Sequence, residues 1–470
     1  MQGCFSAVAG DKSFFPQALA PGWLGSGLPL ALLAVDPSSS CMSPPVAASP
    51  STDPRAAFLR RESAVRGYCR GFPAIFATAQ GARVRDETGR EWIDFLCGAG
   101  SLNYGHNPPQ VISALTDYLA SGGILHGLDL HTVAKRRFLE VFERVILAPR
   151  GMEHRVQFTN PTGTNAVEAA FKLARKITGR PGIHAFTNGY HGMTLGALAA
   201  TGNKYNRAGA GVALGGATFL PFDGYFGADL DTIGMIRKLW EDPSSGVELP
   251  AAVVVETVQG EGGVNVASWG WLKSLAALCR EHQVLLVIDD IQIGNGRSGP
   301  FFSYESAGID PDLIVVSKSI GGCGLPLALV LIKPEHDRWK PAEHNGTFRG
   351  NQLAFVAAAT ALEQHWTDRA GFEAAIAQRA QRLRDRLEAI AAAHPDRGLS
   401  VRGRGLMLGL VNSDPERAAR ISAAAYERGL IIERAGPHDE VVKAMPPLTI
   451  TLDDLDAGCS ILVEAVAAAG

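Results

Sequence analysis

Two side chains, Asp289 and Lys318, carry the first chemical suggestion in this 470-residue chain. Each follows a short aliphatic run. Residues 284–288 read VLLVI and end in Asp289-Asp290, and residues 313–316 read LIVV and end in Ser317-Lys318. Runs apolar on both faces suit strands of a parallel sheet covered by helices, and such sheets bind ligands at the carboxyl ends of their strands. A carboxylate and an amine delivered to one crevice suit chemistry on a pyridine cofactor that carries an aldehyde. The amine forms a Schiff base with the aldehyde, and the carboxylate keeps the ring nitrogen protonated so that the ring draws electrons. On this pair alone, a surface Asp and a surface Lys at two strand ends are the favoured description of the residues.

The elements that must position the pair follow from the pattern around them. From residue 156 onward, strand and helix signals alternate, which predicts a doubly wound α/β sheet. Strands are predicted at 156–158, 183–186, 217–221, 251–256, 284–288, 313–316 and 327–332, with a helix at 166–177. Before them, 83–96 reads as a hairpin turning at 87–89, 98–108 as loop, and 109–119 and 132–146 as helices. After Asn351 the pattern changes to Ala-rich helices at 353–364 and 372–393, then a smaller α+β unit with a strand at 406–410. The expected organisation is a large, mostly parallel domain over 106–350. A smaller α+β domain draws on 55–105 and 351–470.

Four loops in this scheme offer further groups. FTNPTGTN at 158–165 sets Gly163 and Thr164 at a helix start, where free N–H groups and the positive dipole end favour a phosphate. NGYHG at 188–192 offers Tyr190 as an aromatic face for a flat ring. ETVQGEGG at 256–263 ends a strand in acidic residues, Glu261 among them, and NGTFRGN at 345–351 supplies Thr347. Singly, each reads as an N-cap or an ordinary loop. GNGRSG at 294–299 matches a dinucleotide-binding fingerprint, but PFFSY follows it where a helix would have to open. A tight turn is expected there.

Composition narrows the function classes. Lys and Arg number 44 against 47 Asp and Glu, for a net charge of −3, with no long basic run to recruit nucleic acid or an acidic membrane. The 7 cysteines are scattered without a C-x-x-C, as thiols in a reducing cytoplasm would be, and the 12 histidines show no metal spacing. Residues 1–54 are rich in Ala, Pro, Ser and Gly and read as a disordered extension, or as sequence upstream of a true start at Met42. The run LPLALLAV at 28–35 is too short to span a bilayer and lacks a basic region before it. Lys12 is the sole basic residue ahead of Arg55, which disfavours a transit peptide.

Taken together, these motifs resemble those of class III (ω-type) aminotransferases, fold-type-I enzymes that use pyridoxal 5'-phosphate. DDIQ at 289–292 and Ser317-Lys318 are the general marks of the class. GAGSLNYGH at 98–106, PTGTNAVEAA at 161–170, ETVQGEGG at 256–263 and NGTFRG at 345–350 resemble the diaminobutyrate–2-oxoglutarate transaminases of ectoine biosynthesis. The resemblance runs from about Phe58 to the C-terminus. It implies that Lys318 holds the cofactor aldehyde and later moves the substrate proton, that Asp289 pairs with the ring nitrogen and that Gln292 bonds the ring hydroxyl. Tyr190 would stack on the ring, and Gly163 and Thr164 would hold the phosphate. Thr347 would reach the phosphate of a neighbouring subunit, which implies a homodimer or a higher homo-oligomer.

On the substrate side, relatives acting on γ-aminobutyrate or ornithine carry a carboxylate-gripping arginine after the aromatic-His-Gly turn. Met193 stands there in this chain. In the same relatives a C-terminal arginine pairs with the glutamate matching Glu261 and opens to bind glutamate; here Lys443 takes its place, keeping the charge without the bidentate fork. The implied reaction moves the terminal amino group between L-2,4-diaminobutyrate and glutamate, with aspartate 4-semialdehyde and 2-oxoglutarate as oxo partners. The alternatives are another ω-aminotransferase of the 4-aminobutyrate or ornithine type, diaminobutyrate supply for siderophores or peptides, and an inactive cofactor-fold binding protein.

Overall fold

A computed structural model describes residues 53–470; the extension expected over 1–54 lies almost wholly outside the described residues. Of these, Asp53–Glu62 belong to one compact unit and Ser63–Gly470 to another. The first contains a short helix, Ala56–Arg61.

The larger unit is built on a seven-stranded sheet. Across it the strands run Arg155–Phe158, Leu329–Ile332, Leu313–Val316, Leu285–Asp289, Ala252–Val255, Ile183–Phe186 and Ala217–Leu220. Leu285–Asp289 pairs parallel with both its neighbours, and Ile183–Phe186 does likewise. Leu329–Ile332 runs antiparallel to both of its own. The sheet is therefore mostly parallel as expected, with one reversed strand that an aliphatic run gives no means of orienting.

Alternation along these strands feeds two cores. Leu286, Ile288, Ile314 and Val316 join one cluster with Phe138, Phe142 and Phe355, whereas Leu285, Val287, Leu313 and Val315 join another with Phe171 and Leu173. Burying a Val, Leu, Ile or Phe side chain stabilises by about 1.5–3 kcal/mol, so both faces contribute. The helix Gly163–Thr178 covers the second face with Ala166, Val167, Ala170, Phe171, Leu173 and Ala174, all buried, and stops at Gly179 in a left-handed C-cap. On the first face, Thr132 caps the helix Val133–Phe142 by accepting from Lys135 N–H, and the chain continues through a wider turn at Glu143–Leu147. The predicted helix at 132–146 thus divides.

The other sheets join the two ends of this unit. Strands Arg83–Asp86 and Glu91–Asp94 form the expected hairpin, and Leu430–Ile431 pairs parallel with the second of them. A four-stranded sheet carries Ser400–Arg404, Met407–Val411, Val441–Ala444 and Glu433–Ala435 in that order. Among the described residues no helix is long and apolar enough to cross a membrane.

Residues 294–299 form a turn as expected. A side chain at Gly296 would meet the Trp366 ring at 2.8 Å, and the neighbouring Arg297 is fully buried. Its guanidinium donates to the carbonyls of Leu406 and Pro446 and to Asn103 Oδ1. The loop ties the large sheet to the C-terminal segment.

Candidate active site

Five loops, each leaving the carboxyl end of a strand of the large sheet, line one cavity of about 240 Å³. Its walls include Gly163, Thr164, Tyr190, Met193, Glu256, Glu261, Asp289, Gln292 and Lys318. Larger cavities of about 450 and 660 Å³ lie at the opposite end of the strands, around Asp310 and Lys333, away from this constellation.

Asp289 is the last residue of its strand and is buried. Its Oδ2 lies 2.7 Å from His191 Nδ1, and its Oδ1 accepts from Ile291 N–H at 3.2 Å. Burial opposes charge on His191, but the hydrogen bond and charge of Asp289, with Glu256 behind them, outweigh it and raise the imidazole pKa. Glu256 directly follows the neighbouring strand and accepts from Tyr190 N–H at 2.9 Å. Burial, with the charge of Asp289 adding to it, pushes the Glu256 carboxyl up to about 8, so at neutral pH this acid largely keeps its proton. Glu256 therefore adds little negative charge to the cluster at neutral pH.

Lys318 follows Ser317 past the end of the adjacent strand, with φ +54°. A side-chain-bearing residue in the left-handed region costs of order 1–3 kcal/mol and marks a constrained site. Its Nζ donates to Ala99 O at 2.7 Å. That carbonyl belongs to a left-handed turn in which Cys97, Gly98, Ala99 and Gly100 have φ of 55°, 55°, 54° and 88°. A Cβ on Gly100 would press on Gln292 Cγ at 3.3 Å and reach Lys318 Cδ at 3.9 Å. Burial lowers the Lys318 pKa, against the pull of Glu261.

Gly163 and Thr164 open their helix, and Thr162 makes no side-chain cap to it. Gly192, at φ +127°, packs so closely that a Cβ there would meet Thr164 Oγ1 at 2.4 Å. Gln292 Nε2 donates to Ala99 O at 3.0 Å and to Glu261 Oε1 at 2.9 Å, while its Oε1 is buried without a partner. Lys443 Nζ also donates to Glu261 Oε1, at 2.9 Å, and lies 3.1 Å from Glu433 Oε1. Burial opposes charge on all three of these groups. Lys443 and Lys318 nevertheless hold Glu261 down to about 2, and the two glutamates raise the Lys443 pKa.

Of the residues singled out in the sequence, Lys318, Asp289, Gly163, Thr164, Tyr190, Gln292 and Glu261 share the cavity wall. Lys443 sits behind Glu261, fully buried, and does not line it. Thr347 is exposed and is not on the cavity wall of its own chain. His191, Glu256, Glu433 and the Ala99 carbonyl carry interactions that the sequence reading did not assign. His191 stands within the NGYHG motif and could have been found there; Glu433 has no local signal.

A crevice at the carboxyl ends of parallel strands, holding a buried carboxylate and a strained lysine, defines the fold-type-I pyridoxal-phosphate enzymes. The aminotransferase class-III family model matches residues 68–466, and the chain belongs to that family. It is 56% identical to the diaminobutyrate–2-oxoglutarate transaminase of Nocardia farcinica over 87% of this chain and 93% of that protein. It is 52% identical to the enzyme of the same name from Wolinella succinogenes, over 87% and 95%. Among solved structures, the ornithine aminotransferase of Toxoplasma gondii, described with partial occupancy of pyridoxal phosphate at its active site, superposes with a TM-score of 0.76 at 27% identity, covering 88% of this chain and 93% of that one.

The family works with pyridoxal 5'-phosphate, and the cavity residues fit it. The uncapped helix start offers N–H groups to a phosphate, the orphan Gln292 Oε1 can accept from a ring hydroxyl, and Asp289 offers a buried carboxylate to a ring nitrogen. Lys318 offers a primary amine from the same wall.

Proposed function

We propose that this chain is a diaminobutyrate–2-oxoglutarate transaminase, catalysing L-2,4-diaminobutyrate + 2-oxoglutarate = L-aspartate 4-semialdehyde + L-glutamate. The observation that carries this reading is the name shared by relatives 52–56% identical over most of the chain. The cavity adds support of its own. Met193 lines it half-exposed where an arginine would grip the carboxylate of a γ-amino acid.

Bound pyridoxal phosphate supplies an aldehyde that condenses with amines and a protonated ring that withdraws electrons from the carbon bearing them. Lys318 would hold it through its amine, and the Lys318 Nζ, biased toward the neutral form by burial, would take the proton from the substrate carbon. Asp289, held by His191, would pair with the ring nitrogen. Tyr190 would offer its face to the ring, Gln292 would accept from the ring hydroxyl, and Gly163 and Thr164 would bind the phosphate. Glu261 and Lys443 form the substrate side, and Glu261 moves aside for a carboxylate.

The setting we propose is a cytoplasmic homodimer or higher homo-oligomer in ectoine synthesis, with net flow from glutamate toward diaminobutyrate. Thr347, exposed beside the exposed Phe348, would meet the phosphate of the neighbouring subunit. The small domain would draw on both chain ends, 55–105 and 351–470.

The test is a paired steady-state assay with 2-oxoglutarate as common acceptor. A charged, hydrogen-bonded contact is worth roughly 1.5–3 kcal/mol, so its absence at Met193 costs about one to two powers of ten in kcat/KM. γ-Aminobutyrate has no α-amino group to anchor it and bears this loss in full. Diaminobutyrate is expected to exceed it at least about tenfold in kcat/KM. Equal values, or a preference for γ-aminobutyrate, would refute the diaminobutyrate assignment while leaving the family unaffected.

A further inference from the structure

Lys443 has a second carboxylate. Strand Glu433–Ala435 pairs antiparallel with Val441–Ala444, and the register sets Glu433 directly opposite Lys443. Residues opposed in this way have Cβ atoms about 4.5–5.5 Å apart, so strand pairing itself delivers the carboxylate to within 3.1 Å of the amine. The Lys443 side chain is 0% exposed and that of Glu433 8%. Glu261 approaches from the other side and belongs to the cavity wall, whereas neither Lys443 nor Glu433 does. The amine thus has one carboxylate facing the substrate space and one fixed on the strand behind it. The carbonyl of Gly260, at 3.5 Å, is a weaker third contact.

Two carboxylates around one buried ammonium are one more than neutrality needs, and burial pushes the Glu433 carboxyl up to about 7, so while Glu261 is in place Glu433 can relieve the surplus charge by holding a proton. The arrangement makes sense when one of the two must leave. Glutamate carries a carboxylate on the carbon that bears its reacting amine, so it must compete with Glu261 for Lys443. Diaminobutyrate reacting at its terminal amine has no carboxylate on that carbon, and Glu261 can stay in place. Without Glu433, the departure of Glu261 would strip a fully buried ammonium of its last carboxylate. The amine would then follow Glu261 or lose its proton, and either outcome removes the cation that glutamate needs.

We infer that Glu433 is a positioning residue that keeps Lys443 charged and in place while Glu261 is exchanged for a carboxylate of glutamate or 2-oxoglutarate. This rests on the substrate pair proposed above. It also accounts for a lysine serving where an arginine fork is absent: the ammonium is a point charge and needs a fixed anchor to present a donor in one direction.

The test compares the holoenzymes of wild type, Glu433→Gln, Lys443→Gln and the double variant. Single-turnover half-reactions are followed by cofactor absorbance, with glutamate and diaminobutyrate supplied separately. Glu433→Gln is expected to slow the glutamate half-reaction about tenfold more than the diaminobutyrate one, the scale of one charge-assisted contact. The double variant should be no slower with glutamate than Lys443→Gln alone, because Glu433 acts through Lys443. Glu433→Asp, which keeps the charge but falls one methylene short, should show the same bias and serves as the readout if Glu433→Gln does not fold. Equal losses with both donors, no loss with either, or additive losses in the double variant would overturn the inference alone. A wild-type enzyme inert to glutamate would overturn the substrate reading and this inference with it.

Discussion

The contact between His191 and Asp289 sets how much of the site depends on a buried residue of the cavity wall whose part is to hold another side chain. Both side chains are almost wholly buried, 1% and 4% exposed, with 2.7 Å between Nδ1 and Oδ2. Replacing His191 by Phe leaves Asp289 one backbone donor, Ile291 N–H at 3.2 Å. Removing one partner of a buried ion pair destabilises by about 3–5 kcal/mol. We therefore expect a loss of roughly 3–5 kcal/mol in unfolding free energy at neutral pH. An Asp289 carboxylate no longer held by His191 is free to turn away from the ring nitrogen, so kcat should fall at least about tenfold while cofactor stays bound through its other contacts. Denaturant unfolding of apoenzyme and holoenzyme gives the first quantity, and single-turnover kinetics at saturating cofactor gives the second. His191→Gln, which keeps a donor, should recover part of both. If His191→Phe unfolds within about 0.5 kcal/mol of wild type and turns over at the same rate, the His191 contact does not hold Asp289 in its role.

Lys318→Ala should abolish transamination with the fold intact, as read by near-ultraviolet circular dichroism; turnover near the wild-type rate without added amine would remove Lys318 from its role. Gly192→Ala combines φ +127° with a Cβ placed 2.4 Å from Thr164 Oγ1, so cofactor affinity by equilibrium dialysis should weaken at least about tenfold; unchanged affinity would show that the Thr164 loop yields freely. Asp290 is buried and accepts from Ser303 N–H, and its carboxyl is pushed from 3.8 to about 7, mainly by burial. The folded state then binds a proton that the unfolded state releases, so stability from this group is full below about pH 4 and is lost as pH rises toward 7. Asp290→Asn should flatten melting temperature against pH across that window, by about 1 kcal/mol or more relative to wild type; parallel profiles would refute it.

What the sequence made legible was whatever depends on local pattern. Strand ends at Asp289 and Lys318 stand out because aliphatic runs stop there, and the carboxyl ends of parallel strands meet by geometry. The reversed strand Leu329–Ile332 was not legible in its direction, since a run buried on both faces looks alike read either way. The turn at Cys97–Gly100 was half legible. Its glycines announce positive φ, but Cys97 and Ala99 adopt φ of 55° and 54° only because the tertiary structure sets the Ala99 carbonyl on Lys318 and Gln292.

The charge clusters show the deeper limit. Asp289 and His191 come from separate strand–loop units, and no spacing rule relates them; only the sheet order that sets Ala252–Val255 between their strands brings the two loops together. Glu433 and Lys443 are close in sequence, yet the link between their strands runs through a loop, Gly436 to Glu440, whose length does not announce a tight hairpin register. A shift of one residue in that register would turn Glu433 to the other face of the sheet and leave Lys443 with Glu261 alone. The substrate-facing electrostatics therefore depend on strand register, a property that emerges when the C-terminal sheet closes and that neither glutamate nor lysine encodes by itself.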